Sequence, residues 1–238
     1  MNERHQRTKM LIGDESLEKL RNSRVAVFGV GGVGGYAAEA LARSGVGSID
    51  LIDADDIAGS NLNRQIVALT STLGKGKAET AAARIADIDP SIHVTVHSMF
   101  YLPDRRGDID FGNYDYVIDA VDTVAAKVDI IEQAGLAGVP VISAMGCGNR
   151  LDPSKLQICD ISKTFNDPLS KVMRRRLKDS GVKKLDVVFS TELPYKRPED
   201  LVCETENTDR RTPASMVFVP ACAGLMMAGY VCRKLAGI

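Results

Sequence analysis

The feature that most constrains this chain is a glycine-rich turn between an apolar strand and a helix pattern. The apolar run Val25–Phe28 has the length of a strand, and glycine follows it at positions 29, 31, 32, 34 and 35. A helical pattern then runs from Tyr36 to Ser44, and a second apolar segment ends at Asp53, about 20 residues after Gly34. A strand, a glycine turn, a helix and a strand that ends in a carboxylate are typical of a nucleotide-binding βαβ unit.

The glycines of this turn have separate physical roles. Gly29 permits the sharp turn, Gly31 lets the backbone approach a phosphate, and Gly34 lets the helix pack closely on the strand. The N-terminus of that helix offers unpaired N–H groups and a partial positive charge to an anion. Asp53 stands where an acidic residue receives ribose hydroxyls. The segment therefore predicts a site for a dinucleotide or for ATP.

Apolar segments of strand length alternate with helical patterns along the chain. Further strands are predicted at residues 93–97, 116–119, 139–143, 156–161 and 186–190, and helices at 16–20, 78–88, 125–135, 168–179 and from about 221. This alternation predicts an α/β fold: a Rossmann-like doubly wound, mostly parallel sheet with a C-terminal extension that continues it. We expect one domain over 1–238, with an N-terminal arm (1–24), a nucleotide-binding core (25–150) and an extension ending in a helix (151–238).

The composition narrows the environment of the protein. Hydrophobic residues at 45% and charged residues at 26% suit a globular protein with a continuous core. The five cysteines form no CxxC pair, which favours a reducing compartment over a disulfide framework or a structural zinc site. The polar start of the chain argues against a signal peptide, so we expect a cytoplasmic protein. The uncharged stretch Met216–Cys232 is at the short limit for a membrane span, and we favour a buried helix over peripheral membrane contact.

Several polar residues beyond Asp53 are placed where parallel strands present ligands. Arg64, between Asn63 and Gln65, suits an anion, whereas Ser60 and Asn61 also suit the start of a helix. Lys77 opens a helix after glycines, where it is either part of an anion site or simply solvated. Asp119 and Asp122 end the fourth strand, so we expect them to face the same crevice.

Five motifs, in this order and spacing, resemble the HesA/MoeB/ThiF family. That family of ATP-dependent carboxylate-adenylating enzymes includes the molybdopterin- and thiamin-synthesis activators and the ubiquitin-activating enzymes. The motifs are Gly29–Gly34, Asp53–Asp55, Ser60–Gln65, Gly76–Lys77 and Asp119–Asp122. The resemblance covers residue 4 to about residue 146.

The second half resembles one branch of this family, the tRNA threonylcarbamoyladenosine dehydratases. The matching segments are 151–153, 156–157, 163–164, 167–169, 174–177 and 188–192. Members of that branch activate the carboxylate of a modified adenosine beside the anticodon and close it into a cyclic form. The resemblance implies ATP-dependent dehydration of threonylcarbamoyladenosine in tRNA, with release of AMP and pyrophosphate.

The resemblance also implies a set of site residues. The nucleotide site would comprise Gly29, Gly31, Gly32, Gly34, Asp53, Asp55, Asn61, Arg64, Lys77 and Asp122. Arg64 and Lys77 would neutralise charge on the phosphates, and Asp122 would hold Mg²⁺. Arg7, which looks like part of a solvated arm by itself, matches an arginine that relatives insert into the partner subunit's site. The resemblance therefore implies a homodimer.

Three other functions stay open at this point. A nicotinamide-dependent oxidoreductase would use the glycine turn but leave Arg64, Lys77 and Asp122 without a role. A relative that adenylates the C-terminus of a sulfur-carrier or ubiquitin-like protein would use a cysteine such as Cys203 as acceptor. An adaptor that binds ATP without catalysis would not need the three charged residues. A sulfur-relay protein also stays open as a partner.

A basic segment at 171–184 is the candidate tRNA surface. It holds seven basic residues and one acidic residue in a chain of net charge −1. Leu169, Val172, Met173 and Leu177 are predicted to anchor the helix, which would leave its basic residues outward. The predicted tRNA contacts are Lys171, Arg174, Arg175 and Lys178. The alternatives are a merely solvated helix face, or tRNA contacts at Arg210 and Arg211.

Overall fold

Strands and helices alternate along the chain in the computed structural model, which describes residues 3–196 and 213–238. The strands are β1 (Arg24–Phe28), β2 (Ser48–Ile52), β3 (His93–His97), β4 (Tyr116–Asp119), β5 (Val141–Ala144), β6 (Leu156–Asp160) and β7 (Asp186–Ser190). The α-helices of the described residues are α1 (Gln6–Arg21), α2 (Gly34–Ser44), α3 (Lys77–Ile88), α4 (Val124–Leu136), α5 (Pro168–Asp179) and α6 (Phe218–Ala236). Cys203, Arg210 and Arg211 lie outside the described residues.

The seven strands form one sheet in the order β3-β2-β1-β4-β5-β7-β6. All neighbours are parallel except β6, which runs antiparallel to β7 at the edge. The order reverses between β1 and β4, and such a reversal opens a crevice at the carboxyl ends of the strands. The predicted fold class is confirmed, and β7 and β6 are the C-terminal extension that continues the sheet.

Helices cover both faces of the sheet. On β1, Val25 and Val27 belong to the apolar cluster that includes α2, α3 and α6, whereas Ala26 and Phe28 belong to the cluster that includes α4. This alternation follows from the two-residue period of a strand, and it explains why β1 is apolar at every position.

Helix α6 contains most of the uncharged stretch, and it is packed on α2. A Cβ at Gly224 would lie 2.2 Å from the carbonyl oxygen of Val33, so the two helices are in close contact directly behind the glycine turn. Val219, Ala223 and Val231 are 0–1% exposed. Among the described residues, no helix combines the length and apolarity that a membrane crossing requires.

The N-terminal arm differs from its prediction. A short helix was expected at 16–20 within a solvated arm, but α1 extends over sixteen residues and changes direction at Gly13, whose φ of 80° is not helical. His5 is 5% exposed and lies against Gly45 and Asp89. Gly13 interrupts the apolar period that would have revealed the longer helix, because it lets the two halves turn different faces inward.

A buried carboxylate ties together the first three strands of the sheet. Asp50 in β2 is fully buried and accepts hydrogen bonds from Arg24 Nε (2.8 Å) and Nη2 (2.9 Å) in β1. His97 Nε2 lies at 2.9 Å, and the hydroxyl of Tyr114 donates at 3.1 Å. Burial alone would raise the pKa of Asp50, but the hydrogen bonds from Arg24 and His97 outweigh it and lower that pKa below its ordinary value.

Candidate nucleotide-binding site

The glycine turn lies in the crevice between β1 and β4, and two of its glycines are required by packing. Gly29 has a φ of 84°, and a Cβ there would lie 2.8 Å from the carbonyl oxygen of Ala120. A Cβ at Gly34 would lie 1.8 Å from the carbonyl oxygen of Gly29. Neither position accepts a larger residue, because the backbone of the turn packs against itself and against the end of β4.

Gly31 and Gly32 have a different environment. The nearest atom to a Cβ at Gly31 would be Nε2 of Gln65, 3.8 Å away. A Cβ at Gly32 would lie 3.4 Å from Pro220 and 3.5 Å from Cγ of Arg64. The turn is therefore open at Gly31, directly before the N-terminus of α2, which is where an anion binds in such folds.

Asp53 follows the end of β2 and supports the turn. Its Oδ2 accepts a hydrogen bond from the N–H of Val30 (2.6 Å), and its Oδ1 accepts one from the N–H of Asp55 (2.8 Å). Burial raises the pKa of Asp53, and these two backbone hydrogen bonds oppose that rise. Because each carboxylate oxygen has two lone pairs, Asp53 can also accept ribose hydroxyls without releasing the turn.

Lys77 is held in place by Asp55. It is the first residue of α3 and is 6% exposed, and its Nζ lies 2.6 Å from Oδ2 of Asp55. Its backbone N–H also donates to the carbonyl oxygen of Asp55 (2.9 Å). This excludes the interpretation of Lys77 as a solvated residue. An ammonium group has three protons, so one hydrogen bond to Asp55 leaves two for a ligand.

The segment from Ser60 to Gln65 presents one cation and two buried amides. Asn61 is 8% exposed, and its Oδ1 accepts a hydrogen bond from the N–H of Ala58 (3.0 Å), so its carbonyl oxygen shapes this turn. Arg64 is half-buried and donates from Nη1 to the carbonyl oxygen of Ser60 (2.8 Å). Gln65 is 7% exposed and its Oε1 has no hydrogen-bond partner. Gln65 lies beside Gly31, and only its place in the Ser60–Gln65 motif pointed to it.

The end of β4 separates two carboxylates that were expected to face the same crevice. Asp122 is exposed, and its Oδ1 accepts a hydrogen bond from the hydroxyl of Thr123 (3.3 Å). Asp119 is fully buried, 3.0 Å from Nζ of Lys127. The prediction that Asp119 faces the crevice is wrong, because its side chain points into the protein and pairs with a lysine of α4. No sequence pattern pointed to Lys127.

Strand order brings these residues together, with the exception of Arg7. Asp53, the glycine turn and Asp122 follow the carboxyl ends of β2, β1 and β4, which are neighbours in the sheet. Arg7 lies two residues from His5, which packs beside Gly45 at the amino ends of the strands. A five-residue strand spans about 16 Å. Arg7 is therefore near the amino ends of the strands, whereas the glycine turn of its own chain lies at their carboxyl ends.

The basic face of α5 is smaller than expected. Lys171, Arg175 and Lys178 are exposed, but Arg174 is half-buried. Its Nη1 donates to the carbonyl oxygen of Thr164 (3.0 Å) and to the hydroxyl of the same residue. The prediction that Arg174 points outward is therefore wrong. Val172 is 44% exposed, so it does not belong to the predicted anchoring face either, whereas Met173 and Leu177 are buried.

The fold and the arrangement of this crevice define a nucleotide-binding α/β protein with a fixed cation near the carboxylate that holds its glycine turn. The ThiF family model matches residues 4–238. The chain belongs to the ThiF family.

A curated relative and two solved structures are similar to this chain over most of its length. The chain is 47% identical over 237 residues to the tRNA threonylcarbamoyladenosine dehydratase of Bacillus subtilis. This match covers 96% of this chain and 93% of that protein. It is similar to the crystal structure of E. coli tRNA N6-threonylcarbamoyladenosine dehydratase, TcdA, in complex with ATP, with 36% identity, a TM-score of 0.87 and coverage of 98% of this chain and 94% of that chain. The structure of the same enzyme in complex with AMP has a TM-score of 0.87 and 36% identity, and covers 97% and 92%.

Proposed function

We propose that this protein is an ATP-dependent tRNA threonylcarbamoyladenosine dehydratase. It adenylates the carboxylate of the modified nucleoside, closes the ring and releases AMP and pyrophosphate. The observation that carries the proposal is the fixed ammonium group of Lys77 near Asp53, the carboxylate that holds the open glycine turn, since a cation in this place suits a triphosphate. The names of the relatives supply the substrate. A tRNA substrate also supports a cytoplasmic location.

The nucleotide is bound by groups that are already in place. Asp53 accepts the ribose hydroxyls while it continues to hold Val30, and the phosphates lie against Gly31 and Gly32 at the N-terminus of α2. The open space at Gly31 is large enough for this approach because nothing lies within 3.8 Å of a Cβ there. Asp55 orients Lys77 toward the same crevice.

The cations act when charge develops on the phosphates. An oxygen of the substrate carboxylate attacks the α-phosphorus, the bond to the β-phosphate oxygen breaks, and pyrophosphate leaves. Lys77 and Arg64 stabilise the negative charge that grows in this step, and Lys77 is the stronger of the two because it is largely removed from water. The product is an acyl-adenylate.

Ring closure needs no protein nucleophile. The ureido nitrogen of the substrate attacks the activated carbonyl carbon, the bond to AMP breaks, and the nitrogen loses its proton to solvent. Cys147 lies near the carboxyl end of β5, but desolvation raises its pKa to about 12, which opposes the formation of a thiolate at neutral pH.

Asp122 would hold the magnesium ion that the proposed reaction uses. Its carboxylate is exposed at the crevice, and oxygen ligands are those that Mg²⁺ prefers. Within residues 3–196 and 213–238, no cluster of three or more His, Cys, Asp or Glu side chains could hold a metal ion. Magnesium bound by one carboxylate and by phosphate oxygens needs no such cluster. When bound, the ion neutralises phosphate charge.

We also propose that Arg7 acts in the site of a partner subunit. Arg7 lies at the amino edge of the sheet, far from its own glycine turn, so it cannot serve that crevice in the same chain. Met10 and Leu11 follow it on α1 and are 80% and 84% exposed. Two large exposed apolar side chains follow an arginine that lies far from the nucleotide site of its own chain. They support a homodimer in which this half of α1 packs on the second copy.

The anticodon arm is proposed to bind the exposed face of α5. Lys171, Arg175 and Lys178 are its contacts, and Arg174 is excluded because it holds Thr164. Three outward cations on one face of the helix suit phosphates, which supply much of the affinity of proteins for nucleic acids.

Mass spectrometry of nucleosides tests the proposed function. tRNA is incubated with the protein and ATP·Mg²⁺, digested and analysed, and we expect threonylcarbamoyladenosine to lose one water. The matched control is Asp122→Asn, which should leave the nucleoside unchanged. An unchanged nucleoside with the native protein would contradict the proposal. ATP-dependent modification of a carrier-protein C-terminus instead would identify the alternative adenylating function.

A further inference from the structure

We propose that Lys127 is a positioning residue for Asp122. The inference rests on the proposed function, since that function gives Asp122 its magnesium ion. Lys127 in α4 and Asp119 at the end of β4 are both fully buried, and Nζ of the lysine lies 3.0 Å from Oδ2 of the aspartate. Neither side chain reaches the crevice, so any effect on the reaction must pass through other groups.

The ion pair holds the peptide groups directly before Asp122. Nζ of Lys127 donates to the carbonyl oxygen of Val121 (3.0 Å), and the N–H of Val121 donates to Oδ1 of Asp119 (3.3 Å). The backbone N–H of Lys127 donates to the carbonyl oxygen of Thr123 (3.0 Å). The residue before Asp122 is therefore tied to the side chains of the buried pair, and the residue after it to the backbone of Lys127.

The same connection reaches the glycine turn. The N–H of Ala120 donates to the carbonyl oxygen of Phe28 (2.8 Å). The carbonyl oxygen of Ala120 lies so close to Gly29 that it leaves no room for a side chain at that position. On the other side, the hydroxyl of Ser143 in β5 donates to Asp119. A shift of the Asp119–Lys127 pair would thus move the carboxylate of Asp122 relative to the phosphate turn.

Stability alone does not account for a buried pair of charges. Removing two ions from water is costly, and apolar residues of similar volume often give a protein of equal or greater stability. What an apolar pair cannot supply is the hydrogen bond that Lys127 donates to Val121. Groups behind a metal ligand typically change metal affinity or activity by about 10-fold to 100-fold.

The test separates metal dependence from nucleotide binding. The double variant Asp119→Asn with Lys127→Met removes both charges together, so that neither remains buried alone. We expect it to fold and to bind AMP without metal with an affinity within about twofold of the native protein. The Mg²⁺ concentration for half-maximal pyrophosphate release should rise by about tenfold. Ser143→Ala, which changes no charge, should shift the Mg²⁺ requirement in the same direction by a smaller factor.

Asp129→Asn is the matched control on the same helix. Asp129 is 2% exposed and accepts a hydrogen bond from the hydroxyl of Tyr101 (2.8 Å), away from the segment that carries Asp122. This variant should lower the melting temperature and leave the Mg²⁺ requirement unchanged.

Three results would overturn the inference. One is a native Mg²⁺ requirement in both the double variant and Ser143→Ala. Another is a double variant whose AMP affinity falls by the same factor as its Mg²⁺ requirement rises, which would indicate a merely structural role. The third is a shift in the Asp129→Asn control as large as in the double variant. If instead Asp122→Asn itself kept a native Mg²⁺ requirement, the proposed function of Asp122 would fail, and the two failures are thus distinguishable.

Discussion

Gly31→Ala should weaken nucleotide binding without harming the fold. Gly31 does not have the positive φ of Gly29, and a methyl group there would meet only Nε2 of Gln65 at 3.8 Å. Replacement of glycine by alanine at a compatible backbone position stabilises a protein by about 0.4–1 kcal/mol. We therefore expect the free energy of unfolding to be unchanged or slightly higher.

The loss should occur in binding, because the new methyl group occupies the space in which phosphate approaches the backbone. Hydrogen bonds to a charged group contribute about 1.5–3 kcal/mol each. Loss of one such bond corresponds to about 10-fold to 100-fold weaker binding of ATP and AMP. Gly34→Ala is the contrasting variant: its Cβ would lie 1.8 Å from a carbonyl oxygen, so it should destabilise the fold by about 3 kcal/mol.

Isothermal titration calorimetry with AMP and ATP·Mg²⁺, together with urea unfolding, measures both quantities. Gly107→Ala is the control, since a Cβ there would meet nothing within 4 Å and the residue is remote from the turn in sequence. It should leave both affinities native and the free energy of unfolding unchanged or slightly higher. Native ATP affinity in Gly31→Ala would refute the assignment of phosphate to this turn. A loss of stability in Gly31→Ala as large as that in Gly34→Ala would refute the packing argument.

Three further predictions concern the dimer, the tRNA surface and pH. Arg7→Ala and Asp122→Asn should each be inactive, and mixing them with subunit exchange should restore about a quarter of all sites; no recovery despite proven exchange would contradict action across the interface. Arg175→Glu with Lys178→Glu should weaken tRNA binding and flatten its salt dependence while ATP affinity stays native; an unchanged salt slope in filter binding would place the tRNA elsewhere. The partners of Asp50 lower its pKa, so the stability that this carboxylate provides is present above the ordinary pKa of 3.8 and is lost as the pH falls below that value. In urea unfolding, the free energy of unfolding should therefore depend less on acid pH in Asp50→Asn than in the native protein. An equal dependence on pH in both proteins would exclude Asp50 as the source of acid lability.

The glycine turn could be predicted from the sequence because backbone geometry restricts it to glycine. The positive φ of Gly29 and the contact at Gly34 exclude other residues, so the pattern itself carries the information. The strands at 93–97, 116–119 and 186–190 are confirmed for a similar reason: short, apolar and β-branched segments have few other structures open to them.

Side-chain partners could not be predicted in the same way. Asp119 and Asp122 look alike at a strand end, and only the packing of α4 decides that Lys127 pairs with the first and leaves the second exposed. Arg174 and Arg175 are neighbours on one helix, and the position of Thr164 decides which of them is engaged. These outcomes depend on contacts between distant segments, which periodicity does not encode.

The crevice divides its charged groups into those that are fixed in the structure and those that remain exposed. Lys77 is held by Asp55, and Asp53 holds the turn, so the groups that bind the nucleotide need little reorganisation. Asp122 is exposed, and Arg7 lies at the far edge of its own sheet. Under the proposed function, one subunit therefore contains what ATP binding requires, whereas adenylation requires the metal, the partner's arginine and the tRNA. This separation would delay attack on the α-phosphorus until the substrate is in place.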